Sequence, residues 1–333
     1  MNMKRNNLLD GWRGLAIIAV LIGHFLPLPG INAGRFGVEL FFVLSGRLMG
    51  ELLFVKKEAI REFYWRRVTR ILPILFSYIL LIFTLHFFYP SVVDATDNSV
   101  IAAISFFYNY LHGLGYSATV FDHLWSLCIE EHTYLLLGLI AISTRYIDLS
   151  PWKLCLILAI FCITHGVYLT VFEGLGYYDV YWRSDTRATG ILLGCGLYTL
   201  YKERPKLFEC ITPSATVLLV ILGTTLSLYP VPDIIKYSAG TFSLALSIIT
   251  LDRVPLQSKA LLNNSIIGLF GRASFSLYIF QQLFYYNNGK YNFSVLCVVV
   301  ITGFLFYYFI ETPSRRFLNK IYTPVAINNR KIA

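Results

Sequence analysis

The stretch DGWRGLAIIAVLIGHF, residues 10–25, has the apolar density of a membrane span, yet it holds Arg13 near its start and His24 near its end. An embedded charge costs about 2.5–3.5 kcal/mol on insertion scales, so a span that keeps one marks a functional position. On an α-helix the spacing from 13 to 24 is about 16 Å along the axis and close to three full turns, so both side chains face one way. Arg13 then sits near one surface and His24 deeper. A neutral imidazole in a dry cavity is a suitable general base. The plainer alternative is that Arg13 snorkels to the interface and His24 satisfies a backbone carbonyl.

The rest of the chain has the same character. Of its 333 residues 56% are hydrophobic and 14% charged, and its mean hydropathy is +0.61. A soluble domain carries about 25% charged residues. Apolar runs near the length of a span recur along the chain, predicting an all-α integral membrane protein with about ten transmembrane helices. They fall at about 12–28, 36–55, 71–89, 124–144, 152–172, 185–201, 213–229, 234–251, 265–285 and 293–311. The segment 99–111 is apolar but too short to cross, and is expected to be re-entrant or interfacial. No polar stretch remains for a second domain, so residues 1–333 read as one membrane domain, the last ~15 residues being a cytoplasmic tail.

The net charge of +9 does not point to nucleic acid, because the cations cluster between apolar runs. With a cytoplasmic N-terminus, 21 of the 28 Lys and Arg residues fall on the cytoplasmic side, four on the other and three within spans. The positive-inside rule then places both termini in the cytoplasm. Trp12, Trp65, Trp125, Trp152 and Trp182 all fall at or beside span ends, where aromatic belts form. The six cysteines lie in or beside apolar spans with no CxxC pair, so neither a disulfide framework nor a metal site is expected. Lys4 and Arg5 precede the first span as in a signal peptide, but Asp10, Arg13 and the lack of a small-residue cleavage site predict an uncleaved helix.

Further polar groups sit inside the spans. FFVLSGRLMGELL (41–53) contributes Ser45, Arg47 and Glu51, with Arg47 and Glu51 spaced to pair. LWSLCIEEHTYLL (124–136) contributes Ser126, Glu130, Glu131 and His132. Two adjacent carboxylates cannot face one partner; one can orient a histidine while the other pairs with an arginine. In YWRSDTRATGILLG (181–194), Asp185 can cap a helix and Arg187 can snorkel. Ser45, Arg47, Asp185 and Arg187 are therefore candidate pore-lining residues. FYWRRVTRILP (63–73) is a cationic loop in which Arg66, Arg67 and Arg70 share a helical face. Arginine forks bind phosphate bidentately, whereas ordinary topology bias or anionic lipid accounts for the cluster equally well.

In order along residues 8–317, DGWRGLAIIAVLIGH, FFVLSG, RRVTRILP, WSLCIEEHTYLL, RSDTRATGILLG, SFSLYIFQQLF (274–284) and ETPSRRF (311–317) resemble the motifs of the integral-membrane acyltransferase-3 family. The resemblance implies an O-acyltransferase that moves acetyl from acetyl-CoA to an extracytoplasmic glycan. It places the family's first-span arginine and histidine on Arg13 and His24, its arginine motif on Arg66, Arg67 and Arg70, and its acidic pair on Glu130 and Glu131. Many relatives carry a histidine where Gln281 stands here, and a glutamine and an aromatic residue where His132 and Thr133 stand. Ending at Ala333, the chain resembles the single-domain members, often modifiers of lipopolysaccharide O-antigen in the bacterial inner membrane.

The expected roles are His24 as catalytic base with Glu130 or Glu131 orienting it, and Arg13, Arg66, Arg67 and Arg70 binding acetyl-CoA. Acetyl-CoA is a co-substrate; no tightly bound cofactor and no metal are expected, and the partners are the glycan and membrane lipid. An acyl-enzyme on His24 or Ser45 is the alternative to direct transfer. A transporter or flippase, or a scaffold in glycan assembly, would also suit the spans and charges, but neither would consume a thioester.

Overall fold

The computed structural model describes residues 7–26, 28–90, 93, 95–111, 118–255, 259–286 and 292–330, with the backbone alone for 252 and 323–330. Lys4, Arg5, Lys290 and Lys331, part of the cation tally, lie outside these residues. The described residues are mostly helical, with no strand among them. In chain order the helices are α1 (Asn7–Phe25), α2 (Ala33–Met49), α3 (Ile60–Phe88), α4 (Asp97–Ile104), α5 (Tyr108–Leu111), α6 (Leu124–Ser143), α7 (Pro151–Val171) and α8 (Tyr177–Tyr181). They continue with α9 (Ser184–Arg187), α10 (Thr189–Glu203), α11 (Pro213–Thr225), α12 (Asp233–Ile235), α13 (Thr241–Thr250), α14 (Ser265–Tyr286), α15 (Phe293–Phe306) and α16 (Thr312–Arg330).

Among the described residues, five helical stretches are long and apolar enough to cross a membrane: Asn7–Phe25, Ile60–Phe88, Leu124–Ser143, Pro151–Val171 and Phe293–Tyr322. The other five expected segments are also helical but fall short in length or apolarity. The outer faces carry a broad apolar belt: Leu80, Phe83 and Phe87 on α3, Leu135 and Leu139 on α6, Ile157 and Phe161 on α7, and Ile301 and Leu305 on α15 are all exposed. Such a surface would be intolerable in water and suits lipid, where helices satisfy their own backbone polar groups.

Inside the belt, α1, α2, α10 and α14 meet along a seam of glycines. A Cβ on Gly271 of α14 would collide with the Asp10 carbonyl, one on Gly14 with the Ile267 carbonyl, and one on Gly37 of α2 with the Ala16 carbonyl. Gly46 and Gly194 bring α2 and α10 equally close. In lipid no hydrophobic force separates helix–helix from helix–lipid contact, so close backbone approach is what holds such helices together.

The structure departs from the sequence expectations in several places. Helix α3 starts at Ile60 rather than near 71, so the expected loop of arginines is its first turns. The reason is an unbroken stripe of buried residues, Phe63, Arg67, Ile71, Leu75, Tyr78 and Ile82, at helical spacing. The 99–111 segment is two short helices, α4 and α5, with Phe106 at φ 58 between them. The expected span 185–201 is divided into α9 and α10 at Ala188. π-helical turns at Gly50–Val55, Lys236–Gly240 and Tyr307–Glu311 interrupt or extend α2, α13 and α15. Arg272, counted among loop cations, lies on α14, and the expected tail continues as helix to Arg330.

Candidate active site

A cavity opens among α1, α2, α3, α6 and α14, and its polar lining is Arg13, Ser45, Arg67, Arg70, Ser126, Glu130 and Ser274, with Tyr278 beside them. They come from five helices far apart in the chain. Arg67 is drawn inward by the α3 stripe, where its guanidinium lies 3.9 Å from the Tyr134 ring centroid and Nη2 lies 3.0 Å from Met49 Sδ. Arg70 follows one turn later on the same helix. Glu130 faces them from α6: it accepts a 3.0 Å hydrogen bond from Ser45 Oγ and a 2.8 Å bond from Tyr134 OH, one turn along its own helix. Glu131 is half-buried within the electrostatic reach of Arg67, Arg70 and Tyr64. Three guanidiniums converge with two carboxylates behind them. In a low-dielectric setting that excess positive charge attracts a polyanion strongly.

His24 lies eleven residues after Arg13 on the same helix, α1. Its Nδ1 is 2.9 Å from Oε1 of the buried Gln281 on α14, and its ring stacks on Tyr285 with centroids 4.4 Å apart. A carbonyl oxygen only accepts, so Nδ1 carries the proton and Nε2 keeps its lone pair. The Cδ2–Nε2 edge of the ring lies beside Gly34, where a Cβ would sit 3.4 Å from both atoms. Gln281 therefore holds the imidazole ring in place. The expected orienting acids are instead engaged around the arginine cavity, Glu130 by Ser45 and Tyr134.

The remaining candidates separate. Of the arginine trio, Arg66 points away from the cavity, exposed, with Nη2 2.8 Å from Glu58 Oε1. Burial raises the Glu58 carboxyl above the usual carboxylate range, against the pull of Arg66. Adjacent residues on a helix diverge by about 100°, so Arg66 and Arg67 cannot both face inward. Of the four pore-lining candidates only Ser45 reaches the cavity. Arg47 is buried 4.9 Å from the Tyr198 centroid, and its 3.9 Å contact with Glu51 is weaker than the 2.5 Å pair of Glu51 with Lys56. Asp185 pairs with Arg183 at 2.6 Å and His165 at 3.3 Å. Arg187 is buried against Glu39 and the Tyr237 ring, 3.7 Å to the centroid.

Gln281, Tyr285, Tyr278 and His123 were not anticipated as site residues. Tyr278 OH lies 2.6 Å from Ser126 Oγ and donates a 2.8 Å bond to the His123 carbonyl, linking the cavity wall to the turn before α6. The His123 ring is buried between Tyr78 and Tyr278, at 5.4 and 5.6 Å, within electrostatic reach of His24. The signal in the sequence was polarity in apolar surroundings: two glutamines inside SFSLYIFQQLFYY and a histidine just before LWSL. Among the described residues no three His, Cys, Asp or Glu side chains come together as a metal site.

A family model described as an acyltransferase domain, that of the acyltransferase-3 family, matches residues 6–320. The chain is similar to O-acetyltransferase OatA of Staphylococcus aureus, 28% identical over 347 residues, covering 92% of this chain and 57% of the relative. It is also similar to peptidoglycan O-acetyltransferase OatA of Listeria monocytogenes, 31% identical over 209 residues, covering 57% of this chain and 33% of that protein. The chain thus spans little more than half the length of the curated relatives it matches. No solved structure matches it. The family model extends over nearly all the helices just described, from α1 with Arg13 and His24 into α16, and on that match the chain belongs to the acyltransferase-3 family.

Proposed function

We propose that this protein is an O-acyltransferase that carries acetyl from acetyl-CoA to a hydroxyl of an extracytoplasmic glycan. The observation that carries the reading is the disposition of α1: Arg13 in a cavity of cations at one end, and a base with its Nδ1 held by Gln281 at the other. The phosphates of CoA seat on Arg13, Arg67 and Arg70, whose planar forks suit phosphate oxygens. The helix rise from 13 to 24 is about 16 Å, comparable to the pantetheine arm that must bring the thioester to His24. His24 Nε2 then takes the proton of the acceptor hydroxyl. The oxygen attacks the thioester carbonyl, the C–S bond breaks as the ester forms, and the CoA thiolate leaves with the proton from His24.

Ten spans with both termini cytoplasmic would set the arginine cavity toward the CoA supply and His24 toward the outer face of a bacterial inner membrane. The acceptor that the sequence resemblance implies is a lipopolysaccharide O-antigen sugar; similarity to the peptidoglycan O-acetyltransferase of Listeria monocytogenes supports peptidoglycan as the competitor. Acetyl-CoA is a co-substrate here, and the chemistry calls for no tightly bound cofactor. Acylation of Ser45 is a second reading, supported by its 3.0 Å bond to Glu130, a base placed against a hydroxyl nucleophile. Incubating the purified protein with acetyl-CoA and isolated O-antigen or peptidoglycan, and following CoA release and glycan acetylation, tests the reading. Transfer to either glycan supports it, and consumption of no thioester refutes it. Acetyl on Ser45 by mass spectrometry would replace direct transfer with the acyl-enzyme route.

A further inference from the structure

A second, smaller surface pocket opens at the His24 end of α1, with Asn32, Arg35 and Glu39 of the α2 entrance facing Tyr229, Lys236 and Tyr237. Its charged residues are not equivalent. Glu39 is committed to Arg187 and to Thr241 Oγ1, the latter at 2.6 Å. Lys236 Nζ is 3.0 Å from Asp233. Arg35 is different: its guanidinium lies 4.0 Å from the Tyr177 ring centroid and 5.5 Å from that of Tyr181, and among the described residues no carboxylate pairs with it. The rings hold the cation, with Asp233 within electrostatic reach, and its N–H edge can meet an incoming acceptor of hydrogen bonds.

This cavity adjoins the base. A Cβ on Gly34 would lie 3.4 Å from Asn32 Oδ1 and also 3.4 Å from His24 Nε2. The cavity wall and the catalytic nitrogen are therefore separated by the width of one missing side chain. Tyr229, exposed at the rim, offers an aromatic face for a sugar ring.

We propose that this cavity is the acceptor subsite and that it selects an acidic glycan, one whose carboxylate or phosphate seats on Arg35 while a neighbouring hydroxyl reaches His24 Nε2. The inference rests on the transfer reading and deepens it by naming the acceptor's chemical class. A sugar carboxylate and the phosphate of a lipid-linked sugar share the required chemistry.

The test is binding by calorimetry to the full chain in nanodiscs of neutral lipid. The probes are a glucuronic acid-terminated disaccharide, N-acetylglucosamine 1-phosphate and neutral N-acetylglucosamine. At least one acidic probe should bind about tenfold or more tightly than the neutral sugar, as a charge-assisted bond allows. Which of the two acids prevails identifies the source of the anion. Arg35→Gln should abolish the preference while changing the neutral probe's Kd by less than about twofold, and Arg35→Lys should keep part of it. Equal binding of all three probes to the wild-type chain overturns the proposal even if neither variant folds, and so does a preference that survives in Arg35→Gln. CoA release from acetyl-CoA, measured separately without glycan, reports on the transfer reading; its failure leaves the binding comparison intact.

Discussion

The Nδ1–H of His24 donates to Oε1 of Gln281 across 2.9 Å, joining α1 to α14 and leaving Nε2 as the basic nitrogen. If that bond sets the tautomer, Gln281→Leu should lower kcat about 10–100-fold, as loss of a partner that orients a functional histidine does. The KM for acetyl-CoA should stay within about twofold. Gln281→Glu keeps an acceptor in place and should recover most of the lost rate. Steady-state kinetics of the two variants decides it; a fully active Leu variant would remove Gln281 from the mechanism.

The arginine trio should divide in function as it does in space. Arg67→Ala and Arg70→Ala should raise the KM for acetyl-CoA about tenfold or more, with a smaller effect on kcat, the mark of binding that persists through the reaction. Arg66→Ala loses the contact with Glu58 on the side away from the cavity and should shift either constant by less than about threefold. Arg67→Lys keeps the charge without the fork and should remain impaired. Equal effects at 66 and 67 would restore the simpler picture of a topological charge cluster.

Much of this was legible in the sequence. Each expected apolar segment is helical, because an apolar run of that length has few alternatives in lipid. The start of α3 was not legible, because RRVTR looks like loop by polarity; Phe63 and Arg67 are buried as one stripe only once α6 supplies Tyr134. Nor was the partner of His24. A glutamine in an apolar span is conspicuous, but the α1–α14 pairing arises from glycine contacts across more than 250 positions of sequence, which no local pattern encodes. The Arg187–Glu39 pair was hidden in the same way.

The glycine seam gives a test of packing independent of chemistry. Gly271→Ala would drive a methyl group into the Asp10 carbonyl, so the α1–α14 contact must open. Gly268, one turn earlier, meets only the Arg272 guanidinium at 3.5 Å, and alanine there should be neutral or slightly stabilising by helix propensity. Thermal unfolding in a fixed detergent should put the Tm of Gly271→Ala several degrees below that of Gly268→Ala. Equal values would argue against the close approach.

Orientation is tested by labelling. In a chain with the exposed Cys210 and Cys297 changed to Ser, a membrane-impermeant thiol reagent added outside intact cells should reach Asp97→Cys and not Arg61→Cys. Both positions are exposed, and the cation bias assigns them to opposite sides. The reverse pattern would turn the arginine cavity outward and remove its access to cytoplasmic CoA.

The central claim is that donor binding and proton transfer occupy separate ends of α1. The most direct measurement is His24→Ala, scored for acetyl-CoA affinity and for acetyl transfer in the same purified sample. Removing the base should reduce transfer about 10²–10⁴-fold, the range of a general base. The donor Kd, set at Arg13, Arg67 and Arg70, should change by less than about twofold. Near-normal transfer by a well-folded His24→Ala protein, or a parallel loss of donor binding, would contradict the account.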